Sequence, residues 1–180
     1  KTINLGIMYG MGKAKLAAQL GTDQPSAELI LNKYHNQFPF VRQLKKLCEK
    51  TAQHHGEIST LLGRRCRFNR FSPRGQYGVA ALPLEEAQKK WSRLELERAY
   101  TYRALNRLIQ GSAADQCKAA MASLRSKGIV PKITIHDEIC ASGDEETLKE
   151  IIDSMENAVE MQVPFKVDAS MGDTWGSIAK

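Results

Sequence analysis

Cysteine is scarce in this chain. The four present in 180 residues, Cys48, Cys66, Cys117 and Cys140, lie far apart with no Cys-x-x-Cys pair. That spacing argues against a zinc site and supplies no disulfide framework for a chain of this length. Reducing surroundings are the simplest expectation, with each thiol read as a small buried hydrophobe. Long apolar runs are also lacking, so neither a membrane-spanning helix nor a signal peptide is legible, and no membrane partner is expected. Negative charge is short over the first three quarters. Residues 1–135 hold 9 of the 20 Asp and Glu but 23 of the 26 Lys and Arg, an excess of 14 positive charges, whereas residues 136–180 carry an excess of 8 negative ones. A basic body suits a polyanionic partner, nucleic acid being the commonest; a lysine-rich solvated surface is the plain alternative.

What is present is enough for one domain or two small lobes, with a hydrophobic content of 42% to build a core. Residues 1–20 read as a helix weakened by Gly6, Gly10 and Gly12, which suggest a bend or a close approach. Ser26 reads as the N-cap of a second helix with Leu29, Ile30, Tyr34 and Phe38 on its apolar stripe. Pro39 ends it, and a third follows on Val41, Leu44, Leu47 and Cys48. Two short strands about Gly63 come next. Arginines at 64, 65, 67, 70 and 74 interleaved with Phe68, Phe71 and Tyr77 suit single-stranded nucleic acid, or equally an ordinary arginine-rich hairpin. Residues 85–100 read as a charged helix and residues 103–127 as a longer one. On one side of the latter, Arg103, Asn106, Arg107 and Gln110 gather beside Ala114, a surface able to read minor-groove acceptors or simply to face water.

The centre of the chain is Lys132-Ile-Thr-Ile-His-Asp-Glu-Ile-Cys-Ala-Ser142. Its alternation predicts a hairpin with His136, Asp137 and Glu138 at the tip. Two carboxylates there could hold magnesium through oxygen ligands, or be an ordinary solvated turn. An acidic helix over 145–163 and a strand over 165–169 complete an α+β pattern, an antiparallel sheet backed by helices.

Three segments together resemble DNA polymerases of family A. Lys1-Thr-Ile-Asn-Leu-Gly-Ile-Met-Tyr-Gly10 is similar to motif B of the fingers, Leu108-Ile-Gln-Gly-Ser-Ala-Ala-Asp115 to the palm helix, and Ile135-His-Asp-Glu138 to motif C. The Thr60-Leu-Leu-Gly-Arg-Arg65 hairpin and the closing Val163-Pro-Phe and Gly172-Asp-Thr-Trp175 extend the resemblance over essentially the whole chain. It implies a helical fingers subdomain with a short β-hairpin over 1–92 and the C-terminal part of a palm over 93–180. Lys1 would meet the incoming nucleotide's phosphates, Leu5 would lie by its sugar and Tyr9 by the templating base. Asp137 would hold catalytic metal with Glu138 as auxiliary, and His136 would sit near the primer end. Arg103, Asn106 and Gln110 would contact primer-template DNA. The implied chemistry is two-metal, magnesium-dependent phosphoryl transfer from deoxynucleoside triphosphates. The implied setting is the cytoplasm of a bacterium or phage-infected cell.

The departures are specific. Leu5 stands where relatives often carry Phe or Tyr, and Tyr102, beside Arg103, where many carry Arg. The motif A aspartate that would complete the metal site is not in this sequence. The chain therefore reads as a piece of something longer, expected to be inactive alone and to need an N-terminal polymerase part. A single-subunit RNA polymerase fragment and a non-catalytic nucleic-acid-binding module are the alternatives.

Overall fold

The computed structural model describes residues 6–7, 10–76 and 78–178. It is an α+β chain of two compact units, dividing after Ile109.

The first unit begins with a break where one helix was expected. Gly6 and Ile7 are helical, but Gly10 takes φ 88° and the amide of Met11 reaches back to the Gly6 carbonyl at 2.8 Å. This is the left-handed helix stop that glycine makes without a Cβ penalty. A separate helix, α1 (Lys13–Leu20), follows. Helix α2 (Gln24–Gln37) is capped by Asp23 rather than Ser26: the Asp23 carboxylate accepts the Ser26 amide at 2.8 Å. Pro25 then sits in the first turn, where no amide is needed. The side of α2 that packs is Ala27, Leu31 and Tyr34, which meet Ile7, Leu16 and Ala17, while Leu29 is 65% exposed.

Phe38, forced out of helical geometry by Pro39, separates α2 from α3 (Pro39–His55). Val41, Cys48 and Ala52 are the buried residues of α3; Leu47, expected inside, is 61% exposed. Cys48 and Ala52 form a core with Ile58, Phe68, Ala104 and Leu105. Gly56, at φ 75°, ends α3 and opens the expected hairpin of β1 (Glu57–Ser59) and β2 (Arg65–Arg67), with Ile58 opposite Cys66.

His35 is the misfit of this unit. Its Nδ1 is buried without a hydrogen-bond partner among the described residues, and burial, with Arg42 and Lys45 nearby, holds its pKa below the usual imidazole value. The unfolded chain therefore takes up a proton at pH values where the folded ring stays neutral. This contribution to stability is complete above about pH 6.5 and declines as pH falls from there toward the folded pKa. His35→Phe, keeping a ring beside Tyr34, is expected to add about 1 kcal/mol at pH 7.5 by removing the orphaned nitrogen. It should add more at pH 5.5, as read by urea denaturation at both values.

Beyond β2 the structure departs from expectation. Leu84–Lys90 is helical (α4), but Leu96–Arg98 is a strand, β5, in a three-stranded sheet with β3 (Arg70–Pro73) and β4 (Leu82–Pro83). Leu96, Glu97 and Arg98 pair with Pro73, Ser72 and Phe71, and these ladder partners override a local charge pattern that favours helix. The arginines and aromatics here are mostly committed within the protein. Arg65 and Arg67 approach Glu57, Arg74 pairs with Glu95, Phe68 is buried and Phe71 lies under the Arg98 guanidinium. That is the ordinary arginine-rich arrangement rather than a row of free stacking platforms. Tyr77 lies outside the described residues.

A 3-10 turn (Thr101–Arg103) leads into the long helix α5 (Ala104–Ser126), within which the units divide. In the second unit α5 meets α6 (Glu145–Asn157): Gln116 Nε2 donates to the Met155 carbonyl, Ser123 bonds Ser154, and Lys127 pairs with Glu150 and Asp153. Asp144 caps α6 by accepting from both the amide and the hydroxyl of Thr147. Helix α6 stops short of the expected Val163, and residues 165–169 form no strand. The Val167 amide is taken by the Glu156 carboxylate at 3.0 Å, so it needs no ladder partner. The expected hairpin is present as β6 (Ile133–Ile135) and β7 (Glu138–Cys140), and the chain closes with a one-turn helix, α7 (Trp175–Ile178).

Candidate active site

The hairpin β6–β7 pairs Ile135 with Glu138, leaving His136 and Asp137 as a two-residue turn; Glu138, expected at the tip with them, is instead the first residue of β7, because the ladder runs one pair further. His136 takes φ 56°, a conformation that tight hairpins usually give to Gly, Asn or Asp. A non-glycine residue held there costs on the order of 1–3 kcal/mol, a strain that collects at functional sites. The three polar residues are all exposed.

The two faces of the hairpin differ in a way the alternation did not anticipate. Thr134 and Ile139 lie across from Ala114, Cys117 and Met121 of α5, around a cavity of about 130 Å³. Ile133 and Ile135, expected inside, are 40% and 37% exposed. The cavity is small beside a typical ligand pocket. The acidic tip stands on the surface, not in a closed pocket.

Glu138 is held. Its Oε1 accepts from the Cys140 thiol at 3.3 Å and from the Trp175 indole at 3.2 Å. Burial first, then the neighbouring carboxylate, raises the Cys140 pKa, so this thiol stays protonated and able to donate. Cys117 is raised likewise by burial and then by the charge of Asp137, and its thiol lies 3.9 Å from the His136 carbonyl. Of the four free cysteines only Cys48 is fully buried; the expectation that all four are core residues is corrected for the other three. Neither Cys140 nor Trp175 was legible as part of the site. The same-face relation of Cys140 to Glu138 follows from strand periodicity, but nothing local links Trp175 to a residue 37 positions away.

Asp137 and Glu138 are hard oxygen donors, the kind magnesium takes in ones and twos while keeping water and phosphate as its other ligands. They fit that ion as a partial set. Among the described residues no three His, Cys, Asp or Glu side chains converge as a metal cluster.

The other expected site residues are distributed as follows. Gln110 belongs to the second unit and is exposed; Arg103 and Asn106 belong to the first. The Arg103 guanidinium lies 5.0 Å from the Tyr100 ring and 5.3 Å from the Tyr102 ring, its Nε donating to the Tyr102 hydroxyl at 3.0 Å. Tyr102 and Arg103 thus act as one stacked group. Lys1, Leu5 and Tyr9 lie outside the described residues. No helix among the described residues is long and apolar enough to cross a membrane.

The chain is 31% identical over 211 residues to a DNA-directed DNA polymerase of Pseudomonas phage M6, covering 98% of this chain and 28% of the relative. It is 30% identical over 183 residues to the thermostable DNA polymerase I of Thermus filiformis, covering 97% and 20%. Among solved structures, the polymerase domain of Pol1 from M. smegmatis, in complex with DNA primer-template and dNTP, superposes with a TM-score of 0.75 at 26% identity. That match covers 99% of this chain and 30% of the other. The chain thus spans less than a third of the length of each of these proteins. The family model for DNA polymerase family A matches residues 1–177, and the chain belongs to that family.

Proposed function

We propose that this chain forms the C-terminal fingers and palm part of a template-dependent DNA polymerase that adds deoxynucleotides to a primer 3′ end. The observation that carries the reading is the strained, exposed hairpin tip with Asp137 and Glu138 side by side, in a chain matched by the family model almost end to end. Residues 1–92 are assigned to fingers and 93–180 to palm. Asp137 is the main metal ligand and Glu138 the auxiliary one; His136 lies toward the primer end; Arg103, Asn106 and Gln110 contact the duplex; Lys1, Leu5 and Tyr9 serve the incoming nucleotide. Magnesium bound at the tip, as one of two such ions, supplies positive charge that offsets the charge developing on the transferring phosphoryl group.

Two carboxylates on adjacent residues do not complete a two-metal site. The reading therefore includes a further carboxylate from an N-terminal polymerase part, in the same longer polypeptide or a separate piece. The uncovered Ile133–Ile135 face supports this, since apolar strand faces are normally packed.

Primer extension tests the proposal. The 180-residue chain alone is expected to bind primer-template without extending it; together with the piece bearing the second carboxylate it is expected to incorporate deoxynucleotides and discriminate against ribonucleotides. Equal use of both sugars would favour a single-subunit RNA polymerase. Duplex binding without synthesis in any assembly would leave a nucleic-acid-binding module, a reading favoured by the basic body and the lack of a three-ligand cluster among the described residues.

A further inference from the structure

The hydrogen bond from the last helix to the hairpin joins residues far apart in sequence, and the expected chemistry has no use for it. We propose that Trp175 is a positioning residue for Glu138: its indole N–H, with the Cys140 thiol, holds Oε1 of the carboxylate and leaves Oε2 as the oxygen able to ligate. The proposal rests on reading the hairpin tip as a metal site.

Three observations carry it. First, both donors converge on one oxygen, at 3.2 and 3.3 Å, and Oε2 has no partner among the described residues. Second, Trp175 is 44% exposed. A tryptophan present only to fill a core would be more deeply covered, so burial alone does not account for its placement. Third, the turn that carries it is locked by its own side chains. The Ser177 amide bonds the Thr174 hydroxyl, the Thr174 amide bonds the Ser177 hydroxyl, and that hydroxyl donates to the Thr174 carbonyl at 2.7 Å.

An indole nitrogen only donates, so it favours a carboxylate acceptor and cannot be replaced by phenylalanine in this role. An exposed carboxylate otherwise samples several rotamers, and a fixed one gives up less freedom on ligation. Outer partners of metal-binding carboxylates act this way, and their loss weakens metal binding by roughly tenfold or more.

The chain has two tryptophans, Trp91 and Trp175, so the nitrogen-15 NMR spectrum of the 180-residue chain carries two indole signals. Glu138→Gln is expected to shift the Trp175 signal and leave that of Trp91 in place. With the piece bearing the further carboxylate present, added Mn²⁺ is expected to broaden the hairpin amides and the Trp175 indole before the Trp91 indole. Trp175→Phe should raise the Mn²⁺ concentration needed at the hairpin by roughly tenfold while keeping the melting temperature. A Trp175 signal indifferent to Glu138→Gln overturns the proposal, as does an unchanged Mn²⁺ requirement in Trp175→Phe. If Mn²⁺ broadens neither hairpin nor indole in the wild-type chain even with the piece bearing the further carboxylate present, the metal reading fails and the positioning role with it. An indole that still follows Glu138 would mark that as failure of the metal, not of the hydrogen bond.

Discussion

Asp137→Ala is expected to lower primer extension by about 10³-fold in any assembly of this chain that synthesises DNA, a loss of about 4 kcal/mol in transition-state stabilisation. Duplex affinity should stay within about twofold or tighten slightly, because the change removes a negative charge from a surface proposed to approach a polyanion. The dissociation of the two effects is the point. Asp137 is exposed, in a two-residue turn, and accepts no hydrogen bond among the described residues, so replacing it removes the proposed ligand without disturbing the packed interior. Single-turnover extension and equilibrium duplex binding, measured on the same preparation with a melting curve as control, make the comparison. Retained synthesis, within about tenfold of wild type, would remove Asp137 from the chemistry. A parallel loss of duplex affinity and synthesis would make it a binding residue instead.

Gly56→Ala is expected to cost about 2–4 kcal/mol of stability, the largest effect of a single methyl group anticipated in the first unit. Two costs combine. Gly56 has φ 75°, where a Cβ is worth roughly 1–2 kcal/mol of repulsion. Its Cβ would also fall 2.6 Å from Cζ of the Arg98 guanidinium, which donates from Nη1 to the Phe68 carbonyl at 2.9 Å. The guanidinium can swing aside, but doing so gives up a charge-assisted hydrogen bond worth about 1.5–3 kcal/mol, the lower end applying to a half-exposed group. The same glycine receives the Phe68 amide at 2.7 Å and caps α3 against Ala52, so the disturbance falls where helix, hairpin and core join. Urea denaturation of Gly56→Ala, Arg98→Ala and the double variant separates the costs: with Arg98 already truncated, the added methyl should cost only about 1–2 kcal/mol. Equal penalties in both backgrounds would show that the guanidinium contact contributes nothing.

Much of the second unit was readable from the chain. The alternation around Thr134, the helix that precedes it and the turn at His136-Asp137 follow from periodicity and from two polar residues placed between paired strands. The β1–β2 hairpin was legible for the same reason. What failed did so where a distant partner competes with local preference. Residues 96–98 carry helix-favouring charge but find a ladder in β3; residues 165–169 alternate like a strand but satisfy an amide on the Glu156 side chain. On α2 and α3 the expected Tyr34, Val41 and Cys48 do pack inward, but Leu29 and Leu47 do not, because several apolar positions are available and only the neighbouring helix decides which of them is covered.

Sequence alone determined the α+β class, the division of charge into a basic body and an acidic end, and the placement of two adjacent carboxylates at a hairpin tip, because each depends on residues within a few positions of one another. Tertiary structure alone decided that the isoleucine face of the hairpin stays uncovered and that Glu138 is gripped by Trp175 as well as Cys140. Those features depend on where the chain returns in space, and a hydrogen bond between positions 138 and 175 leaves no periodic trace in the residues between them.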